Sequence, residues 1–285
     1  MGFFTNAVKT TILLALLTAL VLWIGNLLGG TSGLIVAFVF VMVMNFVMFW
    51  WSHRIVLWMY KAKELPQGHR ARKLVREIAS RAGLPMPKVY IIESGTPNAF
   101  ATGPTPKRAA VAVTNSILDL LDDNELRGVL AHEMSHVRNR DTLIQTIAAV
   151  MAGVISYVAT MARWGAMFGG FGGDDDRGNG FLELLVLGIL APLIALLLQL
   201  ALSRTREYFA DESAAKLLHD GKGLSSALKK LEKANADHPF RKGEGSPATA
   251  PLFIVNPFRG SFIFQLFSTH PPIIKRTAKL DSMRF

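Results

Sequence analysis

Five consecutive residues have the types and the spacing for hydrolytic chemistry: His132, Glu133, Met134, Ser135 and His136, an H-E-x-x-H sequence. At about 3.6 residues per turn, histidines four apart share a helix face, and both imidazoles can address one metal ion. Glu133 lies at the edge of that face, badly placed as a ligand but within reach of a water activated at the metal. Zinc lowers the pKa of such a water toward about 7 and polarises a carbonyl oxygen. A carboxylate alongside takes the water's proton as it attacks and returns it to the leaving amine. A catalytic zinc also needs a third protein ligand and an open position. Glu207 is the candidate, with Asp211 four residues further on. On a helix the two share a face; Glu207 can ligate while Asp211 accepts a hydrogen bond from a ligating imidazole. Spacing alone also allows a plainer reading of Glu207, a surface pair with Arg204 or Arg206.

These residues need elements to hold them. Asp122 with Glu125 three residues on reads as a capped helix start, and the helix continues through Leu126, Val129, Leu130 and Met134. Leu74, Val75, Ile78 and Ala79 predict an amphipathic helix over 70–82, ended by Gly83 and Pro85. Residues 88–92 and 108–114 read as short strands, and 96–103 between them as a segment that starts extended and ends in a turn. Residues 206–218 and 224–234 read as helices. The stretch 243–257 reads as a mobile loop and the glycine-rich 169–180 as a connector.

Composition places this machinery beside a membrane. Hydrophobic residues make up 51% of the 285, without the 24 glycines, and charged residues only 18%. A soluble domain typically has about 45–50% apolar residues with glycine counted, and about 25% charged. The absence of cysteine excludes disulfides, thiolate zinc sites, Fe–S clusters and a cysteine nucleophile. Four apolar runs carry the excess: 10–28, 34–51, 143–162 and 181–202. The first two are uncharged and close to the roughly 20 residues that a bilayer core requires. The first is too long for a signal-peptide core and leads into another apolar run, which argues against a cleaved leader. The third and fourth contain Gln145, Ser156, Tyr157, Glu183, Pro192 and Gln199; such residues suit contacts inside a membrane bundle and also buried helices of a soluble domain. We favour four spans.

The loops orient them. Residues 52–90 hold nine Lys/Arg against Glu64 and Glu77, and 203–285 hold fourteen against eight acidic residues. The loop between runs three and four has Arg163 and Arg177 against Asp174, Asp175 and Asp176. Basic loops face the cytoplasm, so both termini are expected inside. The formal charge of +10 flanks the spans, without the aromatic interleaving that would favour nucleic acid, and no nucleic-acid partner is expected.

H-E-M-S-H, followed by S-R-T-R-E-Y-F-A-D around Glu207 and by S-T-H-P-P around His270, resembles the HtpX family over essentially the whole chain. These are membrane-bound zinc endopeptidases of the bacterial heat-shock response, related to the CAAX prenyl proteases. The resemblance implies that His132, His136 and Glu207 bind one Zn2+, that Glu133 is the general base, and that Asp211 is the family's aspartate one turn past the ligand. It implies that His270 donates to the developing oxyanion. Asn98, Ala99 and Phe100 resemble the edge-strand segment that related peptidases pair with substrate backbone. His53, His69, His219 and His238 are not expected to be ligands.

The expected fold is mainly α with a small β-sheet: about four transmembrane helices and a cytoplasmic gluzincin-like zinc peptidase domain. Residues 1–51 would form a transmembrane hairpin, 52–141 and 203–285 the two parts of the peptidase domain, and 142–202 the second pair of spans. The expected function is zinc-dependent hydrolysis of misfolded or damaged membrane proteins at the cytoplasmic face of a bacterial inner membrane. One rival is an intramembrane protease; Arg127, Arg138 and Arg140 around the motif argue for a wetter site. The other is a catalytically silent metal-binding scaffold, which would normally close its site with four ligands.

Overall fold

The structure, a computed structural model, describes residues 2–142, 206–237 and 271–285, together with six isolated positions between 155 and 194. Apart from those six, runs three and four lie outside the described residues, as do His238, His270, the connector 169–180 and the loop 243–257. The chain divides into two compact units: Met1–Val47 with Thr146–Leu202, and Met48–Gln145 with Ser203–Phe285.

In the first unit, α1 (Gly2–Met59) begins as two helices meeting at a kink, with Gly29 at φ −153° and Gly30 at φ 54°. Gly30 holds the left-handed geometry that glycine adopts without steric cost. The arms touch backbone to backbone. A Cβ added at Gly25 would stand 2.5 Å from the Cβ of Ala37, and one at Gly33 would stand 2.1 Å from the Gly25 carbonyl oxygen. Leu17, Val21 and Ile24 are buried at helical spacing, as are Ala37 and Val41. Among the described residues, one stretch, Ala15–Met44, can cross a membrane by length and composition. The hairpin turn between the apolar runs 10–28 and 34–51 is confined to the two glycines, since Thr31 is already helical. The second arm also outruns its apolar run and reaches Met59, because residues 52–59 contain no glycine or proline to stop it.

The second unit is built on a four-stranded sheet in the order β1-β2-β4-β3. Strand β1 (Lys63–Glu64) pairs antiparallel with β2 (Lys88–Ile92); β2 runs parallel to β4 (Ala110–Thr114); β3 (Ala99–Thr102) is antiparallel to β4, with Phe100 opposite Ala112 and Ala101 opposite Val111. The period of two sorts side chains to the two faces. Val89, Ala99, Ala101, Val111 and Val113 join the main core, while Ile92, Phe100, Ala110 and Ala112 pack with Leu57 near the end of α1. The Tyr60 ring lies 5.7 Å from that of Phe100. The Arg108 guanidinium sits 4.4 Å above the Trp50 ring, a cation–π contact.

Helix α2 (Arg70–Ala82) buries Leu74, Val75, Ile78 and Ala79 and ends at Gly83, whose φ is 64°. After α3 (Asn115–Leu120) comes α4 (Asp123–Asn139), opened by the Asp122/Glu125 capping box and buried over most of its length. Residues 206–218 form α5, followed by α6 (Lys222–Asp237) and α7 (Ile273–Ser282). A Cβ at Gly128 would stand 2.6 Å from the Leu224 backbone nitrogen, so only glycine allows α4 and α6 this close. The described architecture is mainly helical with a small mixed sheet.

Candidate metal centre and active site

Helix α4 carries His132, Glu133 and His136 into the core of the second unit, where all three are buried. The imidazoles meet edge to face with centroids 4.8 Å apart, and their Nε2 atoms are 3.2 Å apart. Glu207 comes from α5: its Oε2 is 3.5 Å from His132 Nε2 and its Oε1 3.4 Å from His136 Nε2. One ligand atom from each of the three lies within 4.8 Å of the others. His53, His69 and His219 are not part of this group. His69 accepts from the Ala71 backbone N–H as the N-cap of α2, and His219 stacks edgewise on Phe285.

The outer nitrogens are engaged elsewhere. His132 Nδ1 is 2.9 Å from Asp211 Oδ1, and His136 Nδ1 is 3.2 Å from Asp141 Oδ2. A carboxylate at Nδ1 fixes the tautomer and aims the lone pair on Nε2 inward. Two such lone pairs and a carboxylate then face one another with little solvent access. That arrangement repels itself unless a cation sits among the three. Two nitrogens and one oxygen are a donor set that suits zinc in a catalytic site.

Each orienting aspartate has a guanidinium behind it. Arg276 on α7 donates from Nε to Asp211 Oδ2 at 2.8 Å and from Nη2 to Oδ1 at 2.7 Å, and its Nη1 stands 3.4 Å from Glu207 Oε2. Arg206 Nη1 lies 3.1 Å from Asp141 Oδ1. The result is two chains of the same kind, Arg276–Asp211–His132 and Arg206–Asp141–His136. Burial works against the Asp211 anion, but Arg276 and His132 outweigh it and hold the carboxyl at about 2. Burial also lowers both imidazoles. Asp211 and Glu207 reverse this at His132, and Asp141 and Glu207 push His136 well above its ordinary value. The negative field that favours a proton on these rings favours a divalent cation for the same reason.

Glu133 reaches the sheet, where its Oε2 accepts from the Ala101 backbone N–H at 2.8 Å. The register explains this. The Asn98 carbonyl accepts from the Thr114 N–H, so Asn98, Phe100 and Thr102 address β4, and Ala99 and Ala101 turn their backbone groups to the outer edge. The expected substrate segment Asn98, Ala99 and Phe100 therefore lies along the strand that holds the carboxylate. Burial raises the Glu133 carboxyl, partly offset by the two histidines, in the direction that suits a general base.

Sequence reasoning missed Asp141, Arg206 and Arg276. Asp141 had a weak signal, five residues past His136 on the same chain segment. Arg206 was read only as a possible surface partner of Glu207. Arg276 is one of fourteen cations in 203–285, and nothing local sets it apart. The Asp141→Asn protein is expected to bind metal about 10–100-fold more weakly, read by competition with a chromophoric chelator. Parent-like affinity would mean that Asp141 does not orient His136.

Residues 66–284 match the profile of Peptidase family M48. The chain belongs to that family. Within it, the chain is 50% identical over 279 residues to a protease HtpX homolog of Syntrophobacter fumaroxidans, covering 96% of this chain and 98% of the relative. It is 48% identical over 278 residues to protease HtpX of Legionella pneumophila, covering 98% and 99%, and 50% identical to the HtpX homolog of Pyrococcus furiosus, covering 96% and 94%. In fold it resembles Ste24p of S. mikatae, with TM-score 0.57 at 20% identity, covering 98% of this chain and 66% of that one. As an M48 peptidase of the HtpX group, the chain is a membrane-associated metalloprotease, and the His132–His136–Glu207 group is where a metal can sit.

Proposed function

We propose that this M48 peptidase is a zinc-dependent endopeptidase, multi-pass in a bacterial inner membrane, that hydrolyses misfolded or damaged membrane proteins at the cytoplasmic face. The observation that carries the reading is the convergence of two imidazoles and one carboxylate beside a second carboxylate pinned to an edge strand. Three ligands with a free base match a catalytic site better than a closed structural one. The basic balance of 52–90 and 203–285 supports the cytoplasmic side.

His132, His136 and Glu207 would hold the ion, which supplies Lewis acidity toward the scissile carbonyl and acidifies a water. Glu133 takes the proton of that water and delivers it to the leaving amine. Asp211 keeps His132 in the ligating tautomer. Within the segment Asn98–Phe100, an extended substrate would pair with the outer edge through the backbone of Ala99, since Asn98 and Phe100 pair with β4. Main-chain pairing of this kind tolerates varied side chains, as an enzyme acting on damaged proteins requires. His270, by its resemblance to the family histidine, would donate to the oxyanion. The bilayer and unfolded membrane proteins are the partners in this reading, and nucleic acid is not.

Two measurements test it together. Glu207→Ala is expected to lose bound zinc and the cleavage of unfolded casein. A reporter fused after Gly173 is expected outside the cytoplasm. Zinc retained by the variant at parent affinity would remove the ligand assignment, and a reporter found inside would remove the four-span topology.

A further inference from the structure

The end of α1 carries a second feature that the protease chemistry does not use. A cavity of about 560 Å³ opens there, lined by Arg54, Leu57, Trp58, Met59, Lys61 and Tyr90. Several of the basic residues around its two cations are paired. Lys63 pairs with Glu93, Arg72 and Lys88 with Glu64, Arg70 with Asp123, and Arg81 with Glu77. Arg54 and Lys61 have no carboxylate partner among the described residues and are exposed. Beside them Trp58 is 80% exposed and Met59 51%. A tryptophan this bare is unusual on a protein surface facing only water. Lys61 also holds φ 49° in the turn that ends α1, a conformation that strains a residue with a side chain and that glycine would adopt freely.

Position on the chain says what would fill the cavity. It lies on the helix that carries the apolar stretch Ala15–Met44. Arg54 and Trp58 follow Trp51 by about one and two turns, where an aromatic belt and cations meet headgroups. We propose that this cavity binds an anionic phospholipid, with Arg54 and Lys61 on the phosphate and Trp58, Met59 and Tyr90 against the glycerol and the upper acyl chain. The same site has a route to the active strand. Leu57 and Tyr90, in its wall, pack in the cluster that holds Phe100 of β3, next to the residue whose N–H holds Glu133.

The inference rests on α1 lying in a bilayer and is independent of catalysis. The full-length protein in neutral detergent is offered phosphatidylglycerol or phosphatidylcholine, and retained lipid is measured by native mass spectrometry. The parent is expected to hold phosphatidylglycerol in preference, and excess inorganic phosphate is expected not to displace it. Arg54→Gln with Lys61→Gly is expected to weaken retention of phosphatidylglycerol roughly 30-fold, the effect of about two cations facing an anionic surface, and to weaken phosphatidylcholine, whose choline already offsets its phosphate, much less. Lys61→Gly alone, at a backbone angle that suits glycine, gives a variant expected to fold like the parent and to lose roughly fivefold; it decides the matter if the double variant does not fold. Equal retention of the two lipids by the parent, parent-like retention by a folded variant, or displacement by inorganic phosphate overturns the proposal. None of these readouts measures zinc or hydrolysis, so failure of the protease mechanism would leave them unaffected.

Discussion

Glu133→Gln is expected to lower kcat/KM on unfolded casein by a factor of about 10²–10⁴, the usual share of a general acid–base group, with metal content unchanged. The substitution is nearly isosteric. The glutamine carbonyl oxygen can still accept from the Ala101 N–H, which Glu133 now does at 2.8 Å, so the helix and the edge strand keep their spacing. What is lost is a carboxylate able to take a proton from water and return it to an amine. The ligand atoms of His132, His136 and Glu207 do not depend on this side chain. Metal analysis of the purified variant therefore separates the outcomes. Parent-like cleavage with full metal content would show that another group moves the proton. Loss of metal would show that Glu133 helps to hold the ion.

The largest expected effect on stability is at Arg276. It is fully buried, makes two hydrogen bonds to Asp211 and stands against Glu207. Truncation to alanine leaves the Asp211 carboxylate in the core with only His132 Nδ1 beside it. Breaking a buried pair from one side costs about 3–5 kcal/mol, because the remaining charge is uncompensated. Arg276→Ala should therefore lower the thermal midpoint far more than Lys229→Ala, which removes an exposed pair with Asp281 worth about 0–1 kcal/mol. Removing both charges, Arg276→Met with Asp211→Asn, should recover part of the loss, since Asp211 is then no longer an unpaired ion, while Glu207, which Arg276 also faces, keeps a buried charge. Equal midpoints for Arg276→Ala and Lys229→Ala, with metal present or chelated, would show that the buried pair contributes little.

What could be read from the residues in order is local, because it depends on repeat geometry. A spacing of four puts His132 and His136 on one helix face. Asp122 and Glu125 cap the helix that carries them, and the apolar spacing of Leu74, Val75 and Ile78 yields α2 within its observed bounds. The strand at 88–92 also follows from local pattern, and the one expected over 108–114 starts at Ala110, after a 3-10 turn at Pro106–Arg108. The apolar surplus and its basic flanks indicate a membrane without reference to tertiary contacts. Even locally, breakers matter: α1 runs past Trp51 to Met59, and residues 52–59 contain no glycine or proline.

Tertiary structure decided the rest, because desolvation and pairing belong to neighbours distant in sequence. Glu207 is one carboxylate among eight in its stretch until α5 brings it to the imidazoles. Arg276 has the composition of a surface cation; burial against Asp211 makes it part of the centre. Asp141 and Arg206 form a second support for the site only where the ends of α4 and α5 meet. The outward turn of Ala101, which sets the direction of Glu133, depends on the register of β3 against β4, and a slip of one residue would reverse it.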